Sequence, residues 1–281
     1  MTCIFIGGSQ RTGTTLLQTI LCRDNTTNPM VHEAKYFRQL IQAYVFGKRQ
    51  FAAETNGYFD DVEALRKFHA GVIEHFLEHV LKRFNNARNL VLKEPHLTMV
   101  FPDISELISS ARFICIIRDP RDVIASMVRV GQKLAEKGIN NDPMAQIFNK
   151  RDMRILSQHF KSFYMPVLRN SDPELGKKCI FLRYEDLVQS PGPVLERLRK
   201  FTGLSLDGFD SDSDPGTGKV NFDAADPYRS AWVSKLYGKK ISSDRIGTHK
   251  DVLTSAEVDI IEQSCQGMMT RFKYSLTSSV N

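Results

Sequence analysis

No stretch of the 281 residues approaches the roughly 18 consecutive apolar positions of a membrane helix, so the sequence offers no candidate span. Cysteine is scarce and scattered. Cys3, Cys22, Cys115, Cys179 and Cys265 stand singly, none at zinc-ligand or thioredoxin spacing from another. Buried free thiols in a reducing compartment are the simplest reading. The sequence has no arginine-rich run and no basic–aromatic interleaving, so no nucleic-acid partner is expected. The first strand-like run starts at residue 2 or 3, leaving no room for a leader, and the expected location is cytoplasmic. His75 and His79 lie four apart but lack an HExxH pattern or a third ligand. Residues 210–214 alternate Asp and Ser without the glycine and closing glutamate of a calcium loop. No metal is expected.

What remains is ordinary globular composition, 42% hydrophobic and 25% charged, with a net charge of +6. Moderate basicity suits an anionic ligand. The chain turns on its first twenty-odd residues. Cys3 to Ile6 are apolar on both faces, as in a buried parallel strand. Gly7-Gly8-Ser9-Gln10-Arg11-Thr12-Gly13-Thr14-Thr15 follows, then Leu16, Leu17, Ile20 and Leu21 at helical spacing. A strand feeding a helix through a glycine loop points free N–H groups at one spot and attracts phosphate or sulfate. Gly8, four residues, Gly13, Thr14 and Thr15 match the P-loop except for its lysine, where Thr14 stands. The cation comes earlier, at Arg11. Such a loop suits an anion and is poorly built for ATP hydrolysis.

Gly7 to Leu17 resembles the 5′-phosphosulfate loop of sulfotransferases, which use 3′-phosphoadenosine 5′-phosphosulfate (PAPS) as donor. Arginine before Gly-Thr-Thr is similar to the tyrosylprotein type and its bacterial relatives. The resemblance makes Gln10, Arg11, Thr12, Gly13, Thr14 and Thr15 donor-binding residues, and Arg11 a catalytic one. A second segment, Arg118-Asp-Pro-Arg-Asp-Val-Ile-Ala-Ser126, caps an apolar strand and resembles the family's 3′-phosphate motif, with Arg118 and Ser126 as ligands. Two phosphate-type sites are what PAPS demands. The competing reading pairs Arg118 with Asp119 or Asp122; Arg121 and Arg129 are expected to add field.

Glu33, 22 residues after Arg11, stands where the family's general base stands, with His32 a weaker candidate. Lys93-Glu94-Pro95-His96 resembles the segment whose lysine contacts the bridging oxygen of the donor; Lys93 would stabilise that leaving oxygen, and His96 is an auxiliary base. Arg183-Tyr-Glu-Asp-Leu187 is family-like, with Tyr184 on the adenine and Glu185 and Asp186 structural. Residues 237–250 resemble the last cofactor loop. Lys239, Lys240, Ser242, Ser243 and Arg245 are its polar candidates, of which Ser243 and Arg245 are taken as donor-binding. Trp232, Tyr228 and Tyr237 suggest a lid.

The implied architecture is a single α/β domain over residues 1–281, P-loop-like, with a mostly parallel sheet of about five strands flanked by helices. Residues 1–37, 89–130, 178–202 and 237–252 form the cofactor core. Residues 38–88, 131–176 and 204–236 form acceptor and lid segments. Val31 is placed in a short second strand, a helix is expected over 98–109, and one long helix over 145–168. The implied reaction carries a sulfuryl group from PAPS to a hydroxyl, less readily an amine, releasing adenosine 3′,5′-bisphosphate without a metal. The acceptor is small or borne on a peptide or carrier, and a homodimer is compatible. Two rivals stay open: a P-loop kinase or ATPase, and a non-catalytic nucleotide-binding protein of the same fold.

Overall fold

A computed structural model of the chain describes residues 1–84, 87–207, 226–232 and 240–277, without the side chains of residues 227 and 229. The expectations for residues 210–214, Tyr237 and Lys239 lie outside that set. In chain order the elements are β1 (Thr2–Gly7), α1 (Thr14–Leu21), α2 (Lys35–Arg49), α3 (Val62–Lys82), β2 (Asn89–Lys93), α4 (Phe101–Leu107) and β3 (Ala111–Ile117). Then follow α5 (Pro120–Glu136), α6 (Pro143–Asn149), α7 (Met153–Ser162), α8 (Met165–Leu168), α9 (Pro173–Lys178) and β4 (Cys179–Arg183). The last helices are α10 (Tyr184–Gln189), α11 (Pro191–Thr202), α12 (Pro227–Trp232) and α13 (Ser255–Arg271).

Among the described residues the sheet has four strands, all parallel, in the order β2-β1-β3-β4. The strands are apolar on both faces because both faces are covered. Cys3 and Phe5 of β1 and Phe113 of β3 pack with α2, α3 and α4, and Phe5 lies 5.2 Å from Phe37 and 5.8 Å from Phe113. Ile4, Ile6, Ile114 and Ile116 pack on the other face with α1, α10 and α11. A further core joins α5, α6, α7 and α13. From β1 the chain crosses to β2 on one side, and from β2 it crosses back over to β3 on the other side of β1. The crevice outside the carboxyl ends of β1 and β3 is therefore where an open α/β sheet holds its ligand.

The expected fifth strand is absent among the described residues. Residues 28–34 run beside the edge strand β2, but a side chain does the pairing. Asn28 Oδ1 accepts from Val91 N at 2.6 Å, and Asn28 Nδ2 donates to Val91 O at 3.2 Å. Pro29 brings no N–H to a ladder, and Ala34 N closes the segment onto Lys93 O at 2.9 Å. The long helix expected over 145–168 is three. Arg151 takes a left-handed φ of 49°, Asp152 caps α7 by accepting from the N–H groups of Arg154 and Ile155, and Pro166 starts α8. The helix expected over 98–109 is a 3-10 turn at Pro95–Val100 followed by α4. The capping box at Thr254 and Glu257 forms in both directions. Among the described residues no helix is long and apolar enough to cross a membrane, and no group of three or more metal-ligating side chains comes together.

Candidate active site

The loop between β1 and α1 is braced from outside before it meets any ligand. Gly8 N donates to Thr98 Oγ1, and Ser9 N donates to the buried Tyr164 hydroxyl at 3.0 Å, which donates on to Ile116 O. Thr12 Oγ1 donates to Ser9 O at 2.7 Å, so its hydroxyl closes the turn and only its N–H is offered to an anion. Gly8 and Gly13 both have positive φ, 140° and 97°. A Cβ at Gly13 would stand 2.6 Å from the Tyr184 ring, so glycine here admits Tyr184 to the loop. Thr14 and Thr15 open α1, where the unpaired N–H groups and the helix dipole face the crevice.

Arg11 also has a positive φ, 70°, which few residues with a side chain adopt. Its Nε donates to Ser126 Oγ at 3.0 Å and its Nη1 to Trp232 O at 2.6 Å. Arg118 reaches the same place from the end of β3. Its guanidinium lies 4.8 Å over the Tyr184 ring, donates to Arg11 O at 3.3 Å and to Arg245 O, and leaves a buried Nε with no partner among the described residues. Arg118 thus touches the backbone of both Arg11 and Arg245, and the three residues form one half-buried cluster. Burial, then the charges of Arg118 and Arg245, lower the Arg11 pKa to about 10. Like charges pressed together beside an unpartnered donor are the arrangement of an anion site. Arg118, Ser126, Tyr184 and Arg245 come together here. Arg11 joins this cluster, whereas its expected catalytic place was at the transferring group. Ser243 does not join it: its side chain is exposed, and its carbonyl accepts from Ile246 N at 2.8 Å. Arg121 turns away from the cluster to pair with Asp119 at 2.6 Å and Glu262 at 2.7 Å, so it adds no local field there. Asp122 pairs with Arg118 at 3.5 Å, the ion pair of the competing reading.

At the carboxyl end of β2 the buried Lys93 ammonium donates to Glu33 Oε1 at 3.0 Å. Lys35 approaches the same carboxylate at 3.6 Å. Burial alone would raise the Glu33 pKa, but Lys93 and then Lys35 outweigh it, and the carboxyl is held below its usual range. His32 is exposed. His96 Nδ1 sits 2.8 Å from Glu94 Oε1, and Glu94, almost fully buried, also pairs with Arg38 at 3.2 Å. From His96 a chain of rings runs round the crevice. His96 to Phe163 is 5.0 Å, Phe163 to His159 5.2 Å, His159 to Phe148 5.8 Å, Phe148 to Trp232 5.7 Å and Trp232 to Tyr228 6.1 Å. Burial and Asp142 raise the Tyr228 pKa, and Glu33 adds a smaller push. His159 Nε2 meets Gln10 Oε1 at 2.8 Å and ties the arc to the loop. Burial, then His96, lower the His159 pKa to about 4, so its ring is neutral near pH 7. Sequence reasoning missed His159 and Tyr164, because each acts through a contact with a distant segment and belongs to no local pattern, and it gave Glu94 no role within its segment.

The sulfotransferase family profile matches residues 3–208, most of the chain. The chain belongs to the sulfotransferase family. Among curated sulfotransferases, protein-tyrosine sulfotransferase 2 of Gallus gallus is 26% identical over 215 residues, covering 73% of this chain and 52% of that protein. Protein-tyrosine sulfotransferase 1 of Danio rerio is 24% identical over 264 residues, covering 84% of this chain and 67% of that one. The chain spans between about half and about two thirds of the length of such relatives. Sulfotransferase domains of known structure share the fold. The domain from the Synechococcus PCC 7002 olefin synthase superposes with a TM-score of 0.60 at 17% identity, covering 98% of this chain and 96% of that one. The domain from the curacin biosynthetic pathway gives 0.56 at 20% identity, with 98% of each chain covered.

Proposed function

We propose that this chain transfers a sulfuryl group from PAPS to an acceptor hydroxyl and releases adenosine 3′,5′-bisphosphate. The observation that carries the reading is the convergence of Arg11, Arg118 and Arg245 with Ser126 and Tyr184, set apart from the Lys93–Glu33 pair. A nucleotide with phosphate at one end only would need the loop and not the second cluster. The residues fit PAPS: three guanidinium groups and the Ser126 hydroxyl for the 3′-phosphate, Tyr184 for the adenine, and the N–H groups of residues 10–15 for the phosphosulfate.

PAPS supplies an activated sulfuryl group whose S–O bond to the 5′-phosphate breaks as the bond to the acceptor oxygen forms. The chain supplies positioning and charge. Glu33, ionised at neutral pH, takes the acceptor proton. Lys93, held by Glu33, stands at the β2 edge to stabilise the leaving oxygen. His96, oriented by Glu94, is the second candidate for the proton. The arc from His96 to Tyr228 forms the acceptor wall, with apolar ring faces that suit a hydroxyl on a flat or apolar carrier, and the tyrosine acceptors named for the curated relatives fit this description. The test is incubation with PAPS and a panel of phenols, sugars and tyrosyl peptides, following sulfated product against bisphosphate. One bisphosphate released per sulfated product is expected. Tight bisphosphate binding with no transfer to any acceptor, or magnesium-dependent ATP turnover, would contradict it.

A further inference from the structure

The last cofactor loop carries no sequence pattern that says how it is held over the cationic cluster, yet the structure ties it down at four backbone groups. Asp122 supplies two of the ties. Its Oδ2 accepts from Gly247 N at 2.8 Å, and its Oδ1 accepts from His249 N at 2.9 Å. The same Oδ1 accepts from His249 Nδ1 at 2.9 Å. Asp122 and His249 are both buried. The other two ties are carbonyls: Arg118 donates to Arg245 O, and Arg129 Nη2 donates to Thr248 O at 3.4 Å. Asp122, Ser126 and Arg129 stand at i, i+4 and i+7 on α5, one turn after Arg118, so one helix face carries both the anion cluster and the grip on the loop. Gly247, with φ 75°, lets the chain bend so that Asp122 receives both N–H groups. Arg245 stands two residues before that bend, and its charge acts on both Arg11 and Tyr184.

We infer that Asp122 is a positioning residue for the donor's 3′-phosphate: it holds residues 245–249 so that Arg245 completes the cluster with Arg11 and Arg118. The carboxylate is used as a multiple acceptor. Its negative charge beside Arg118 opposes anion binding, and that cost is outweighed by the presentation of Arg245. An amide at this position keeps the shape but loses acceptor capacity, so one loop tie breaks. The inference rests on the assignment of the cationic cluster to the 3′-phosphate.

The test is calorimetric binding of adenosine 3′,5′-bisphosphate and of adenosine 5′-monophosphate, which lacks the 3′-phosphate. The proteins are the full chain, Asp122→Asn, Arg245→Gln and the double variant. Asp122→Asn and Arg245→Gln are each expected to weaken the bisphosphate about tenfold and to leave the monophosphate within about twofold. The double variant is expected to lose about tenfold as well, because Asp122 acts through Arg245. A double variant near a hundredfold, equal loss of both nucleotides, or tighter bisphosphate binding in Asp122→Asn would overturn the inference. Should Asp122→Asn fail to fold, His249→Phe breaks the side-chain tie and carries the same cycle. Equal affinity of the two nucleotides in the unaltered protein would overturn the cluster assignment itself.

Discussion

The two walls of the crevice are held by different forces. The cationic wall is polar and tied: Arg11, Arg118 and Arg245 are fixed by hydrogen bonds to Ser126, Trp232 O, Arg11 O and Arg245 O. The second wall, which meets the first at Trp232, is a chain of rings 5.0 to 6.1 Å apart, carried by α6, α7, α12 and the turns beside them. Ring contacts of this kind are each worth about 1 kcal/mol and direct geometry loosely. Charge-assisted hydrogen bonds are about twice as strong as neutral ones and sharply directional. One wall is therefore suited to a single donor of fixed shape, and the other can change its rings without disturbing it.

That contrast can be broken residue by residue. Glu33→Gln should lower turnover by about 10²- to 10⁴-fold while bisphosphate affinity stays within about twofold. Because Lys93 and Lys35 outweigh burial and hold the Glu33 carboxyl low, turnover should be flat through neutral pH. Its acid limb should lie below the ordinary carboxylate value of about 4.3. An acid limb near pH 6 to 7, the ordinary imidazole range, would move the proton acceptor to His96 or His32. Arg118→Ala should weaken the bisphosphate by about a hundredfold, the loss of charge-assisted bonds to one dianion, and should leave acceptor KM unchanged at saturating donor.

His159 links the two walls, and its effect is on stability. Its folded pKa of about 4 lies below the ordinary value of 6.5, so its contribution is full above pH 6.5 and is lost as pH falls toward 4. The loss should be about 2 kcal/mol, with allowance for a partly solvated ring. His159→Phe should flatten that part of a denaturation profile taken from pH 7 to 4.5; an unchanged slope would mean the ring titrates freely. The smallest effect is expected from Trp232→Leu. The Arg11 contact is to the Trp232 carbonyl and survives the change. Acceptor KM should rise about fivefold, the worth of one aromatic contact, and bisphosphate affinity should hold.

Legibility in the sequence followed the same division. The loop, the Arg118–Ser126 segment and Lys93 could be located because each sits in a short strand-to-loop or strand-to-helix stretch, whereas Glu33 rested on the family resemblance and lies outside any strand. The parallel sheet was readable from runs apolar on both faces. The fifth strand was not, because a side chain, Asn28, took the place of a ladder that a backbone pattern would have announced. Arg11 was expected at the transferring group, and nothing local reveals that a positive φ sends it to Ser126. Within the 3′ motif Arg121 and Arg118 look equivalent, and only Glu262, far along the chain, separates them. Ser243 and Arg245 were equally plausible on paper. Asp122, reaching across to Gly247 and His249, decides which part of that loop is held at the cluster.

The most direct measurement is calorimetric binding of adenosine 3′,5′-bisphosphate and of ATP to the unaltered chain, both without metal. Micromolar binding of the bisphosphate, at least about a hundredfold tighter than ATP, is the result the two-ended anion site requires. Equal affinities, or a preference for ATP, would mean that Arg11, Arg118 and Arg245 do not form a 3′-phosphate site.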